Sequence, residues 1–296
     1  MSADQSWGPQ GMPLAMALAA VAGFSLTPIL TNELLKTGMP PEIISFWRFA
    51  VMGVLLLPFL NFRQFRATLA GMVVGGALAY TWIAYAMTLQ KMPILIAATF
   101  YLSYPLFLMF MVWGLLNVVP GARSALSGLF VFAALAVLLQ KTMVATLDWA
   151  SMGLVLVAPI GFAFALTIQR GWLGQLGPMH RLASIAVGGG LALIPVAIRH
   201  PVDVIVPRGD AALLVFALAI FATAIPQVLQ TLSAHRIGPL RSAVAVGFEI
   251  PLITMLALFL YTQRASVFEL AAAFLVIGAL VINALSRQPH GRPPMA

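Results

Sequence analysis

Cysteine is absent from the 296 residues. That removes disulfides, thiolate nucleophiles and cysteine-bound metals. Charge is scarce as well: Asp, Glu, Lys and Arg make up 8% of the chain, against about 25% in an average soluble protein. The four histidines, His180, His200, His235 and His290, stand far apart. No H-E-x-x-H pairs two of them on one helix, which argues against a metal site. There is no G-x-x-x-x-G-K-S/T loop to cradle a nucleotide phosphate, and no G-x-S-x-G nucleophile elbow. The expectation is a protein with no metal, no cofactor and no enzymatic activity of its own.

What fills the chain instead is apolar. Hydrophobic residues make up 61% of it, and the mean hydropathy is +1.00. No soluble domain of this size needs so much apolar surface. The fold class expected is an all-α membrane protein. The net charge of +8 is spread singly between apolar runs. That pattern suits loop charges that orient a membrane protein better than a nucleic-acid footprint.

Apolar runs bounded by charge, Pro and Gly mark ten spans. They cover residues 13–32, 43–60, 68–89, 93–116, 124–139, 149–169, 182–198, 211–232, 238–261 and 267–285, each near the length a bilayer requires. Ten spans put both termini on one side. That side carries Arg63, Arg66, Arg123, Arg170, Arg181, Arg236, Arg241, Arg287 and Arg292. The other carries Lys36, Lys91, Lys141, Arg199, Arg208 and Arg264. The excess places both termini in the cytoplasm by the positive-inside rule.

One stretch and its echo organise the chain. Residues 93–113 read PILIAATFYLSYPLFLMFMVW, and residues 239–259 read PLRSAVAVGFEIPLITMLALF. Each opens on a proline and carries another twelve residues on (105 − 93 = 12; 251 − 239 = 12). Pro41 and Pro58 recur as Pro178 and Pro195 at another constant offset. The chain divides into a tail (1–12), a five-helix repeat (13–140), a second repeat (141–286) and a tail (287–296). An odd number of spans per repeat inverts the second in the membrane. Inverted repeats around a midplane site underlie alternating access in many secondary transporters.

Glu249 is the most unusual side chain, standing where the first copy has Ser103. A carboxylate that deep must be protonated, paired or facing water. It is read as a cavity group that accepts a substrate ammonium or exchanges a proton. The competing reading is a neutral Glu bonded to a carbonyl freed by Pro251. Arg48, about two turns into its span, is read mainly as an interface anchor that snorkels to the surface. Tyr101, Tyr104, Tyr80, Phe24 and Phe164 are expected to wall the cavity, with Ser103 and Ser242 as polar partners. Pro28, Pro105, Pro159 and Pro251 are expected as hinges that bend their helices.

These features together resemble the drug/metabolite transporter superfamily, in its EamA-type ten-span branch. The resemblance runs over essentially the whole chain. It is carried by the duplicated five-span unit, F-S-L-T-P at residues 24–28, F-E-I-P at 248–251 and VIGALVINAL at 276–285. The family's frequent Glu-Pro is here split by Ile250, and its Gly-Glu-Arg appears as Thr262-Gln263-Arg264 without the acid. Within the branch the chain most resembles YddG-type amino-acid exporters. The resemblance implies a central cavity lined by spans one, three, four, six, eight and nine. It also implies export of aromatic and other neutral amino acids from a bacterial inner membrane. Export of other small metabolites or cationic drugs is the alternative, and an intramembrane enzyme ranks lower. The partners expected are the lipid bilayer and a small-molecule substrate, with proton coupling and oligomeric state left open.

Overall fold

The computed structural model describes residues 11–117, 119, 121–142, 149–233, 236, 245, 248–261 and 266–285. Among them no strand occurs, and helices follow one another with short joints. They are α1 (Gly11–Lys36), α2 (Pro41–Leu56, closed by a 3-10 turn, Leu57–Phe59), α3 (Phe65–Leu89), α4 (Ile94–Tyr101) and α5 (Tyr104–Leu116). Then come α6 (Ala122–Thr142), α7 (Trp149–Gly171), α8 (Pro178–Ala197), the one-turn α9 (Val202–Ile205), α10 (Asp210–Ser233), α11 (Glu249–Tyr261) and α12 (Val267–Leu285).

Among the described residues, six stretches are long and apolar enough to cross a bilayer: Met12–Lys36, Pro41–Phe59, Phe65–Leu89, Ile94–Leu115, Pro178–Ala197 and Asp210–Ser233. Four shorter apolar helices, Ala125–Ala134, Gly153–Gln169, Pro251–Leu260 and Leu270–Ala279, stand where the sequence puts the other spans. Large apolar side chains such as Val73, Phe259 and Phe274 face outward. A helix in water would hide them; a helix in lipid has no reason to. The chain is a multi-pass membrane protein.

Without a hydrophobic force between helices in lipid, close packing through small residues holds them together. Helix α8 shows this on two sides. Against α3, Thr68 meets His180 at 3.0 Å and the Tyr80 hydroxyl reaches the Ala192 carbonyl at 3.3 Å, both pairs 112 residues apart. A constant separation means parallel helices. Between these contacts Gly75 lies against the Ile185 carbonyl, and Gly188 against the Met72 backbone. Against α2, Gly53 lies over Ala186 and Gly189 over the Phe49 ring, so that pair runs antiparallel. Helices α6 and α12 are also antiparallel: Ser127 donates to the Ala279 carbonyl at 2.7 Å, and Phe130 lies beside Gly278.

Prolines decide where the helices break. Pro226 has no N–H for the carbonyl four residues back, Ala222. The helix answers with a π turn at Ile220–Ala224, and the freed Ala222 carbonyl accepts the Thr27 hydroxyl of α1 at 2.9 Å. Gly23 allows the approach, because a side chain there would strike Pro226. In the fourth span the expectation of a bent helix needs correction. The structure has two helices, with a break at Leu102–Ser103. There the Ser103 N–H donates to the Phe100 carbonyl at 3.1 Å, and its hydroxyl donates to the same oxygen at 2.6 Å. Pro105 falls in the first turn of α5, where a missing N–H costs no bond. Pro251 likewise lies in the first turn of α11. Pro28 and Pro159 do sit inside their helices, α1 and α7.

The glycine contacts make a direct test. Gly75→Leu forces a side chain into the Ile185 carbonyl, and overpacking of this kind costs about 1–3 kcal/mol or more. The purified protein should unfold at clearly lower temperature in detergent. Gly114→Ala, where an added Cβ meets nothing within 4 Å, should leave the midpoint unchanged or slightly raised. Equal effects at the two positions would show that the α3–α8 contact does not hold the bundle.

Candidate functional site

The breaks converge on one cavity. It is lined by Phe24, Thr27 and Pro28 of α1, Arg48 of α2, Trp82 and Tyr85 of α3, and Ala98 and Tyr101 of α4. Leu102 at the break, Tyr104 of α5, Phe162 of α7, Gln227 and Gln230 of α10, and Glu249 and Ile253 of α11 complete it. Its volume is about 60 Å³. A dry cavity that takes benzene has about 150 Å³. The space therefore suits a few waters, and the helices must part before it takes a ring.

One wall is aromatic. Tyr101 stands at its centre, with ring centroids 5.3 Å from Trp82, 5.5 Å from Tyr85, 5.3 Å from Phe162 and 6.3 Å from Tyr104. Tyr104 meets Phe162 edge-on at 4.9 Å, and Trp82 meets Tyr85 edge-on at 5.2 Å. These are the tilted and edge-to-face separations that ring quadrupoles favour.

The charges are held differently. Arg48 is 4% exposed, and its guanidinium carbon lies 3.6 Å from the centre of the Trp82 ring. This is a cation–π contact on the aromatic face that binds cations best. Glu249 is the first residue of α11. There the free N–H groups and the dipole of the helix favour a negative charge. Among the described residues no ion pair joins Arg48 to Glu249, although both line the cavity. Tyr104 opens α5 in the corresponding way. Two helix N-termini thus begin at the cavity, as in transporters whose broken helices hold substrate at the midplane.

Of the residues expected at the site, Tyr101, Tyr104, Phe24, Glu249 and Pro28 line the cavity. Tyr80, Phe164 and Ser103 do not. Tyr80 is half exposed and turned toward α8. It lies two residues before Trp82, and two residues on a helix turn the side chain through about 200°. Phe164 is 39% exposed; Phe162 takes its place by the same rotation. Ser103 is fully buried and its hydroxyl is occupied by the Phe100 carbonyl. Ser242 lies outside the described residues. Pro105, Pro159 and Pro251 are not among the lining residues.

Arg48 needs the largest correction. Its depth along α2 permits snorkelling, but its face of the helix turns inward against α3, so it stacks on Trp82. Gln227 and Gln230 were missed. Two amides three residues apart in an otherwise apolar span, just after Pro226, were the available signal.

Comparison with known proteins bears on what this cavity does. Residues 11–140 match the EamA-like transporter family. This part of the chain is similar to an EamA-like transporter domain. The family belongs to the drug/metabolite transporter superfamily, whose members are transporters rather than enzymes. The curated proteins contain no match. A protein of known crystal structure is similar over 93% of this chain and 96% of its own, with a TM-score of 0.66 and 15% identity. At that identity the likeness speaks for the fold alone, and it covers nearly the whole chain.

Thr27 offers a test of the joint beside the cavity. It is buried, so water cannot replace its hydroxyl at the Ala222 carbonyl. Thr27→Val keeps the shape and leaves that carbonyl unpaired, at a cost of about 1–3 kcal/mol. Thermal unfolding should show the loss for Val and a much smaller one for Thr27→Ser. A Val variant as stable as wild type would remove the bond from the account.

Proposed function

We propose that the chain is a secondary transporter that exports amino acids, aromatic and other neutral ones among them, by alternating access, much as YddG-type exporters do. The observation that carries this reading is one cavity holding a guanidinium, Arg48, a carboxyl group, Glu249, and a wall of five aromatic rings. A zwitterionic amino acid presents the complementary set. Its carboxylate fits Arg48 and the N-terminus of α5. Its ammonium fits Glu249 and the ring faces. Its side chain fits the wall of Tyr101 and Phe162. Gln227 and Gln230 supply neutral donors and acceptors.

The membrane arrangement belongs to the same proposal: ten spans in two inverted five-helix repeats, with both termini in the cytoplasm of a bacterial cell and the chain in its inner membrane. The packing supports it. Helices α3 and α8, both odd-numbered spans on this reading, run parallel, while α2–α8 and α6–α12 run antiparallel. The last two pairings would each join equivalent helices of the two repeats across a pseudo-twofold axis. The chain's lack of cysteine suits a labelling test. An impermeant thiol reagent added outside the cell should modify Asp203→Cys and spare Arg66→Cys; the opposite pattern would invert the arrangement.

Counterflow into proteoliposomes with a panel of labelled amino acids tests the substrate. Phenylalanine and tryptophan should exchange. Tyr101→Ala, which removes the central ring, should lower that exchange at least about tenfold, the factor that one lost ring contact of about 1.4 kcal/mol gives. Tyr101→Phe should report on the hydroxyl alone. A second reading has its own support: Glu249 beside aromatic faces also suits organic cations that carry no carboxylate. Transport of cationic drugs with no amino-acid exchange would put that reading first.

A further inference from the structure

Among the described residues that line the cavity, Arg48 and Glu249 carry the two formal charges. The other groups facing them are neutral at ordinary pH: Thr27 from α1, Tyr85 from α3, Tyr101 from α4, Tyr104 from α5, Phe162 from α7, and Gln227 and Gln230 from α10. The charges are held apart, each by its own device. The guanidinium rests on Trp82, and Glu249 stands in the first turn of α11. Their sum is zero.

That sum matters for a carrier. Moving a site with net charge through the membrane field is costly, and a lone carboxylate in such a site has to take up a proton or a cation first. A carrier with only Glu249 would be compelled to return protonated. With Arg48 in the same cavity the carboxylate is already compensated. A zwitterion adds no net charge either, so loaded and empty forms are equally neutral.

From this geometry we infer that Arg48 is the resident counter-charge of Glu249, and that it lets the empty carrier reorient without taking up a proton. Transport is then a proton-independent exchange or facilitated flux, driven by the substrate gradient alone. The inference rests on the transporter reading above and adds the coupling mode of that same cavity. It also gives Arg48 a role besides substrate binding: it positions the charge balance of the site.

The experiment has two arms. The first needs no substrate. Arg48→Met, Glu249→Gln and the double variant are purified in detergent, and their unfolding midpoints are compared at about pH 8. Removing one member of a charge pair strands the other, whereas removing both does not. Arg48→Met alone should therefore lose at least about 4 °C, and adding Glu249→Gln should recover half of that loss or more. Additive losses overturn the inference. The second arm measures counterflow of labelled phenylalanine in proteoliposomes between about pH 6 and pH 9, each variant scaled to its own maximum. Wild type and Arg48→Lys, which keep the cation, should vary less than about twofold. Arg48→Met should fall at least about threefold toward the upper end of the range, because its Glu249 works only when protonated. The double variant should be flat again. A wild type that falls with pH as steeply as Arg48→Met overturns the inference. If wild type exchanges no phenylalanine, the amino-acid reading fails, and the stability cycle still decides whether Arg48 balances Glu249.

Discussion

In a bilayer every polar group must find its partner inside the protein, and that requirement shapes this structure more than any other. An unbroken α-helix meets it for the backbone without help. Where the helices break, the chain supplies a specific replacement. The carbonyl freed by Pro226 goes to the Thr27 hydroxyl of a neighbouring helix. The carbonyl of Phe100 at the α4–α5 break takes both the N–H and the hydroxyl of Ser103. Both replacements lie beside the cavity lining, since Thr27 and Leu102 are lining residues and Ser103 follows at once. The irregular backbone stands where it borders a cavity and not where it would face lipid.

Side-chain charge follows the same requirement with a different solution. Arg48 could have reached the surface; it is instead buried on Trp82. Its position depends on packing some distance away. Helix α2 is fixed against α8 through Gly53 and Gly189, and α8 is fixed against α3 through Gly75 and Gly188. Those contacts set the rotation of α2 and α3 about their axes, and so bring Arg48 and Trp82 to face each other. The glycines touch no part of the cavity, yet they decide which side chains line it.

This explains what could and could not be read from the sequence. The membrane class and the spans follow from apolar length, which is a property of composition. Glu249 was legible because a deep carboxylate in a short side chain has no route to water. The face of each helix was not legible. Tyr80 and Trp82, or Phe164 and Phe162, differ by two residues and point to opposite sides. In a span that is apolar all round, no polar stripe tells which side is inside. Depth along α2 suggested a snorkelling Arg48, but depth says nothing of rotation. The break at Leu102–Ser103 escaped for a related reason. A proline reads equally as a kink within one helix or as the opening turn of the next, and the short bonds of Ser103 to Phe100 choose the second.

The size of the cavity adds a last constraint. At about 60 Å³ it is too small for the ring that its aromatic wall would hold. The wall belongs to α3, α4, α5 and α7, while Phe24, Thr27, the two glutamines and Glu249 belong to α1, α10 and α11. On the proposed transporter reading, opening would require these groups of helices to part, and the joints between them differ in kind. Helices α3 and α8 meet backbone to backbone through glycine, a contact that has no slack. Helices α4 and α5 meet at two non-helical residues, Leu102 and Ser103, and α10 carries a π turn at Ile220–Ala224, where one extra residue per turn can be taken up or released. The Thr223 hydroxyl inside that turn is buried and finds no hydrogen-bond partner among the described residues. Movement should therefore concentrate at the α4–α5 break and at the π turn, with the α2–α3–α8 group as the rigid frame against which the cavity opens.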